Sequence, residues 1–109
     1  MRLILEGLGY VVEEAVDGPQ ALERVSINPP DLLILDLVMP GMTGLEVLSF
    51  VQKLNAELPV VIATSDVQRA TAESARQRGA RALVNKPLVR DEVQSVVMNA
   101  LAGGHSWPT

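Results

Sequence analysis

The stretch "LLILDLVMPGMTG", residues 32 to 44, runs an apolar segment into one acid, Asp36, and then into a Pro-Gly turn. An aspartate placed there can simply cap the turn, because its carboxylate bonds readily to nearby backbone amides. It can also be the point at which a strand delivers a reactive group. What lies on either side decides between the two. "LLILDL" is continuously apolar, which is how a parallel strand covered on both faces reads. "PVVIA" (59 to 63) and "ALVNK" (82 to 86) have the same character. "YVVEEAV" (10 to 16) is β-branched and half polar, as suits a strand near a sheet edge.

Helical patterns fill the intervals. "DGPQALERV" has Gly18 and Pro19 set to open a helix. "TGLEVLSFVQKLNAEL" (43 to 58) carries Leu45, Leu48, Val51, Leu54 and Leu58 at helical spacing behind the capping box Thr43-x-x-Glu46. "DVQRATAESARQRG" offers Asp66 as N-cap, Arg76 and Arg78 in its last turn and Gly79 as its stop; its inner face is mostly alanine. "RDEVQSVVMNALAGG" sets Val93, Val96, Val97, Ala100 and Leu101 on one face. Strands and helices alternate, which predicts an α/β fold with a single parallel sheet covered by helices on both faces. The expected domain spans residues 1–102, with 103–109 as a C-terminal tail.

Bulk properties narrow the function. A chain of 109 residues with 48% hydrophobic content suits one domain with a real core. Nine Lys and Arg against 13 Asp and Glu give a net charge of -4, and no basic run is present, which disfavours direct nucleic-acid binding. The absence of cysteine excludes disulfides and thiolate metal sites. No apolar run approaches the roughly 18 residues of a membrane span, and "MRLILEGLGY" lacks the features of a signal peptide. The expectation is a soluble, cytoplasmic protein without a membrane partner.

In a parallel α/β sheet, sites form beyond the carboxyl ends of the strands. The polar residues there are Asp36, then Thr64, Ser65 and Asp66, then Asn85 and Lys86. A carboxylate, a hydroxyl and an ammonium are thus offered to one crevice. Asp66 reads as an N-cap, and Ser65 has no chemical role. His105 is the single histidine and lies in the Gly-rich tail, so a metal or catalytic role is not expected. Met39 and Met42 read as turn packing. Trp107 is either a loose tail residue or an interface anchor.

With Asp36-Leu-Val-Met-Pro-Gly-Met-Thr-Gly44, the strand ending in Thr64, and Lys86-Pro87 after "GARALVN" in this order, the chain resembles the CheY-like response-regulator receiver domains of bacterial phosphorelays, over about residues 3 to 102. The resemblance implies a flavodoxin-like fold and a phosphoacceptor, not an enzyme. Asp36 resembles the acceptor of a phosphoryl group from a histidine kinase or phosphotransfer protein. Thr64 and Lys86 resemble the phosphoryl-binding hydroxyl and cation. The resemblance further implies a cis Lys86-Pro87 bond, switch positions at Thr64 and Leu83, and output through a downstream protein partner. Leu83 departs from the Tyr or Phe of many relatives.

Charge arithmetic explains why such a site needs cations. A carboxylate and a doubly charged phosphoryl group about 4 Å apart repel by roughly 8 kcal/mol at an effective dielectric near 20, and one lysine offsets about half. The family resemblance implies Mg²⁺ for the rest, held by Asp36, by the carbonyl of Val38 and by an acid pair ending the family's first strand. That pair has no counterpart here. "MRLILEGLGYVV" resembles the second half of the family's first helix and its second strand, so about 20 residues of the pattern are wanting. Glu13 and Glu14, inside the strand pattern, do not replace the pair. Two functions follow: a phosphoacceptor switch, or a pseudo-receiver that binds proteins without being phosphorylated. In the family order 2-1-3-4-5 the wanting strand is internal, leaving a gap between "YVVEEAV" and "LLILDL". Either those strands pair directly or their edges recruit another chain, and a homodimer is expected.

Overall fold

The computed structural model describes residues 2–38, 41–65 and 69–107. Three short strands, β1 (Leu33–Asp36), β2 (Val60–Thr64) and β3 (Ala82–Asn85), form a parallel sheet in the order β1-β2-β3. Leu33 lies opposite Val60 and Asp36 opposite Ala63; Val61 lies opposite Ala82 and Thr64 opposite Asn85. All five residues of β2 are buried, as its unbroken apolar run requires of a central strand. Side-chain alternation then divides the core into two layers. Leu35, Val60, Ile62 and Leu83 meet Val25 of α2 (Gly18–Ile27), Val47, Leu48 and Val51 of α3 (Gly44–Leu54), and Ala75 of α4 (Arg69–Gln77). On the opposite face, Val61, Ala63, Ala82 and Val84 meet Ala100 of α5 (Arg90–Leu101). Leu5 of α1 (Arg2–Gly7) packs there with Val93 and Val97.

Local chemistry fixes the helix ends. Asp17 precedes α2 and its carboxylate accepts from the Gln20 amide at 2.9 Å, with Pro19 in the first turn. The capping box ahead of α3 forms in full: Thr43 Oγ1 accepts from the Glu46 amide, and Glu46 Oε1 from the Thr43 amide, each at 3.2 Å. This helix stops at Leu54, short of Leu58, which is buried beyond its end. The alanine-rich α4 buries Ala75 alone, and Gly79 takes a positive φ of 98° past its end. The expected Asp66 cap and the turn residue Met39 lie outside the described residues; Met42 packs against the core.

One expectation needs correction. Residues 10 to 16 are not a strand. Ladder pairing needs a neighbour about 4.8 Å away, and β1 pairs only with β2 among the described residues. The segment is pinned at its two ends, where the Tyr10 amide donates to Leu5 C=O at 3.1 Å and the Val16 amide to Gln20 Oε1 at 2.7 Å. Between them Val11 is 99% exposed, while Tyr10 and Val12 rest on the α1–α5 cluster. The two edges therefore neither close up nor pair, and a groove of about 990 Å³ separates them. The tail, in turn, is docked. The Ser106 amide donates to Arg81 C=O at 2.9 Å, Asn99 Nδ2 donates to Ser106 Oγ at 2.7 Å, and Trp107 packs against the core. Residues 103–107 thus lie against the sheet and α5.

Candidate functional site at the carboxyl ends of the strands

Asp36 closes β1, Lys86 follows β3, and the end of β2 with Thr64 lies between them. Two strand spacings amount to about 9.6 Å, a span that the two side chains bridge together. Lys86 Nζ donates to Asp36 Oδ2 in an ion pair. The other carboxylate oxygen, Oδ1, accepts from the Val38 amide at 2.9 Å. Thr64 is held against the pair through the main chain, its C=O accepting from the Lys86 amide at 2.9 Å. The Lys86-Pro87 bond is cis. The three residues that the sequence pattern placed at strand ends thus lie together at one end of the sheet. Thr64 is buried, whereas the Asp36 and Lys86 side chains remain 37% and 38% exposed, open to a molecule arriving from solvent.

Gly44 is a positioning residue that sequence reasoning passed over. Its amide donates to Leu37 C=O at 3.1 Å, and a Cβ there would lie 2.5 Å from Asp36 O and 2.7 Å from Leu37 Cα. The first turn of α3 therefore rests directly on the peptide that carries Asp36. The available signal was a glycine immediately after an N-cap threonine, a place where other residues serve equally well unless the backbone must come close.

The other singled-out residues scatter. Val38 is 81% exposed and Ser65 is exposed. Leu83 is buried in the core opposite Ile62, as an aliphatic residue on a central-facing strand should be. His105 is exposed, and its C=O accepts from Asn99 Nδ2 at 3.3 Å. Asn85 Oδ1 is buried and has no hydrogen-bond partner among the described residues.

The donor set of the described residues does not by itself fit the Mg²⁺ that the family resemblance implies. Among the described residues no three His, Cys, Asp or Glu side chains gather where they could hold a metal. Asp36 has both oxygens engaged, one by Lys86 and one by the Val38 amide. A single engaged carboxylate and one carbonyl fall short of the oxygen-rich shell a hard divalent cation requires.

Burial alone would push the Asp36 carboxyl up, but the hydrogen bond from Lys86, the Val38 amide and the Lys86 charge outweigh it and hold the group below its ordinary value of 3.8. A group with a depressed folded pKa stabilises the fold above its unfolded pKa, and that contribution disappears as pH falls through the folded value. The stability advantage of the protein over Asp36→Asn is therefore expected to be flat from neutrality to about pH 5 and to shrink below about pH 4. Its size is small, about 0–1 kcal/mol, because the pair is exposed. Urea midpoints of both proteins at several pH values check this; a gap that stays constant into acid would mean Asp36 titrates alike folded and unfolded.

Comparison with known proteins places this geometry. The family profile of the response regulator receiver domain matches residues 1–98. The chain belongs to that family. This receiver domain is 38% identical over 106 residues to the transcriptional regulatory protein ZraR of Escherichia coli K12, covering 97% of the chain and 24% of ZraR. It is 34% identical to the receiver domain of NtrX from Brucella abortus, with a TM-score of 0.85 over 91% of this chain and 84% of that one. A CheY-like receiver from Methanospirillum hungatei, at 24% identity and a TM-score of 0.87, covers 94% of this chain and 82% of that one and shares the fold. The receiver spans about a quarter of the length of the curated regulators it matches. It is a module of two-component signalling, and no helix among its described residues is long and apolar enough to cross a membrane.

Proposed function

We propose that this receiver accepts a phosphoryl group on Asp36 from a histidine kinase or phosphotransfer protein in the cytoplasm and signals through protein contacts. The observation that carries the reading is the Asp36–Lys86 pair bridging the end of β2. A carboxylate oxygen of Asp36 attacks phosphorus, the O–P bond forms, and the P–N bond to the donor imidazole breaks. The imidazole leaves with the electron pair and takes a proton from water. Lys86 starts on Asp36 Oδ2 and follows the incoming charge, offsetting about half of the repulsion. Thr64 binds the phosphoryl group, and Thr64 with Leu83 relays its presence to the face of α4, β3 and α5, where a downstream protein docks.

The second reading, a pseudo-receiver that is not phosphorylated, is favoured by the same donor set that does not fit Mg²⁺. Labelling with phosphoramidate in the presence of Mg²⁺ separates the two. Slow labelling that vanishes in Asp36→Asn is the expected result, because one lysine leaves about half of the repulsion uncompensated. No labelling at Asp36 at any donor concentration supports the interaction module. Rapid Mg²⁺-dependent labelling would mean that ligands beyond the described residues complete the site.

A further inference from the structure

The tail beyond α5 lies on the outer edge of β3 without completing a strand there. Ser106 forms a parallel bridge with Ala82, its amide donating to Arg81 C=O at 2.9 Å. That register sets Trp107 beside Leu83. In a parallel ladder the alternate residues of a strand face opposite neighbours. The Lys86 amide donates to Thr64 C=O, so Ala82 and Val84 face β2 with it, and Leu83 and Asn85 face outward. The next rung would carry an N–H of residue 108 to Leu83 C=O. Residue 108 is proline, which has no N–H to give. The side chains also leave room. A space of about 250 Å³ remains among Leu83, Asn85, Glu92, Val96, Ser106 and Trp107, and Asn85 Oδ1 finds no hydrogen-bond partner among the described residues.

What holds the tail is local. Asn99 Nδ2 donates to Ser106 Oγ at 2.7 Å and to His105 C=O at 3.3 Å, and the Gly104 amide donates to Asn99 C=O at 2.8 Å. We propose that residues 105–107 are a strap that keeps the outer edge of β3 until an extended segment of a downstream protein displaces it. That segment sets an aromatic residue beside Leu83 and continues along β3 without proline, adding to the sheet as a strand. This competition deepens the reading that output leaves by the face of α4, β3 and α5, and it rests on that reading. The tethered strap competes at an effective concentration of about millimolar. A partner wins by the added rung and by filling the space beside Trp107.

The probe is the amidated peptide acetyl-Gly-His-Ser-Trp-Val-Thr-Val. It is titrated calorimetrically into the full chain and into a strap-released chain, Asn99→Ala combined with Trp107→Ala. Binding to the released chain is expected to be about tenfold tighter than to the full chain. The same peptide with proline after its tryptophan is expected to bind the released chain about fivefold more weakly, the loss of one net hydrogen bond. Equal binding by the two chains would overturn the proposal, because the strap then does not occupy the site. Equal binding of the two peptides would overturn it by showing that no strand forms, as would no binding to a folded released chain. A second readout uses the full chain, in which Trp107 is the only tryptophan. The peptide with phenylalanine in place of tryptophan is expected to shift the emission of Trp107 to the red as the ring leaves the core. Unchanged emission at millimolar peptide would overturn the proposal even where the released chain fails to fold. Labelling of Asp36 is read separately: exchange of the strap without labelling removes the phosphoacceptor reading and leaves the strap standing, and labelling without exchange removes the strap alone.

Discussion

Truncating Leu48 to alanine is expected to lower stability by about 3 kcal/mol, within the range of roughly 2–5 kcal/mol for a leucine deleted from a packed core. Leu48 is fully buried on α3, in the layer it shares with Leu35, Val51 and Ile62. A domain of this size is held by roughly 5–15 kcal/mol in all, so the thermal midpoint should fall by about 10–20 °C. Leu54→Ala is the matched control: Leu54 is 53% exposed, and its loss should change stability by less than about 0.5 kcal/mol. Thermal melts of the two variants side by side check the orientation of α3. Equal losses would mean that the helix presents a different face to the sheet.

Replacing Gly44 with valine is expected to cost about 1–3 kcal/mol, since the added atoms meet main chain and not a side chain free to turn away. The peptide that must yield is that of Asp36 and Leu37, so the damage reaches the site. The Asp36 carboxyl should titrate closer to its ordinary value as its contacts with Lys86 and the Val38 amide loosen. Gly7→Ala, at a helix position with nothing within 4 Å, should leave both quantities unchanged. Urea midpoints and the carboxyl titration followed by NMR measure the pair of effects. A valine tolerated within about 0.5 kcal/mol, a surface-like response, would remove the close approach from the account.

Asp36, Thr64 and Lys86 were legible because each ends an apolar run, and parallel strands bring their carboxyl ends to one side. The capping box of α3 was legible for a similar reason, being a local pattern with local bonds. Val47 was not. The stripe read from Leu45 through Leu58 is rotated in the structure, which buries Val47 completely and leaves Leu54 out, because the orientation of a helix is settled by the sheet it meets and not by its own spacing. Residues 10 to 16 misled for the opposite reason: β-propensity describes how side chains fit a pleated surface, and a run of valines becomes a strand only beside a partner. Gly44 stayed hidden because its role lies in a distance between two backbones that are seven residues apart or more in sequence, and no residue type announces such a distance.

The docked tail has a consequence for how this sheet can grow. Ser106 forms a parallel bridge with Ala82 and donates to Arg81 C=O, so the outer side of β3 is already covered where the strand begins. The β3 border of the sheet is thus obstructed. Edge-to-edge growth needs a free strand edge as its template. Another sheet could not pair along the whole of β3 without first displacing Ser106 from Ala82 and Arg81, so the tail guards this border against polymerisation.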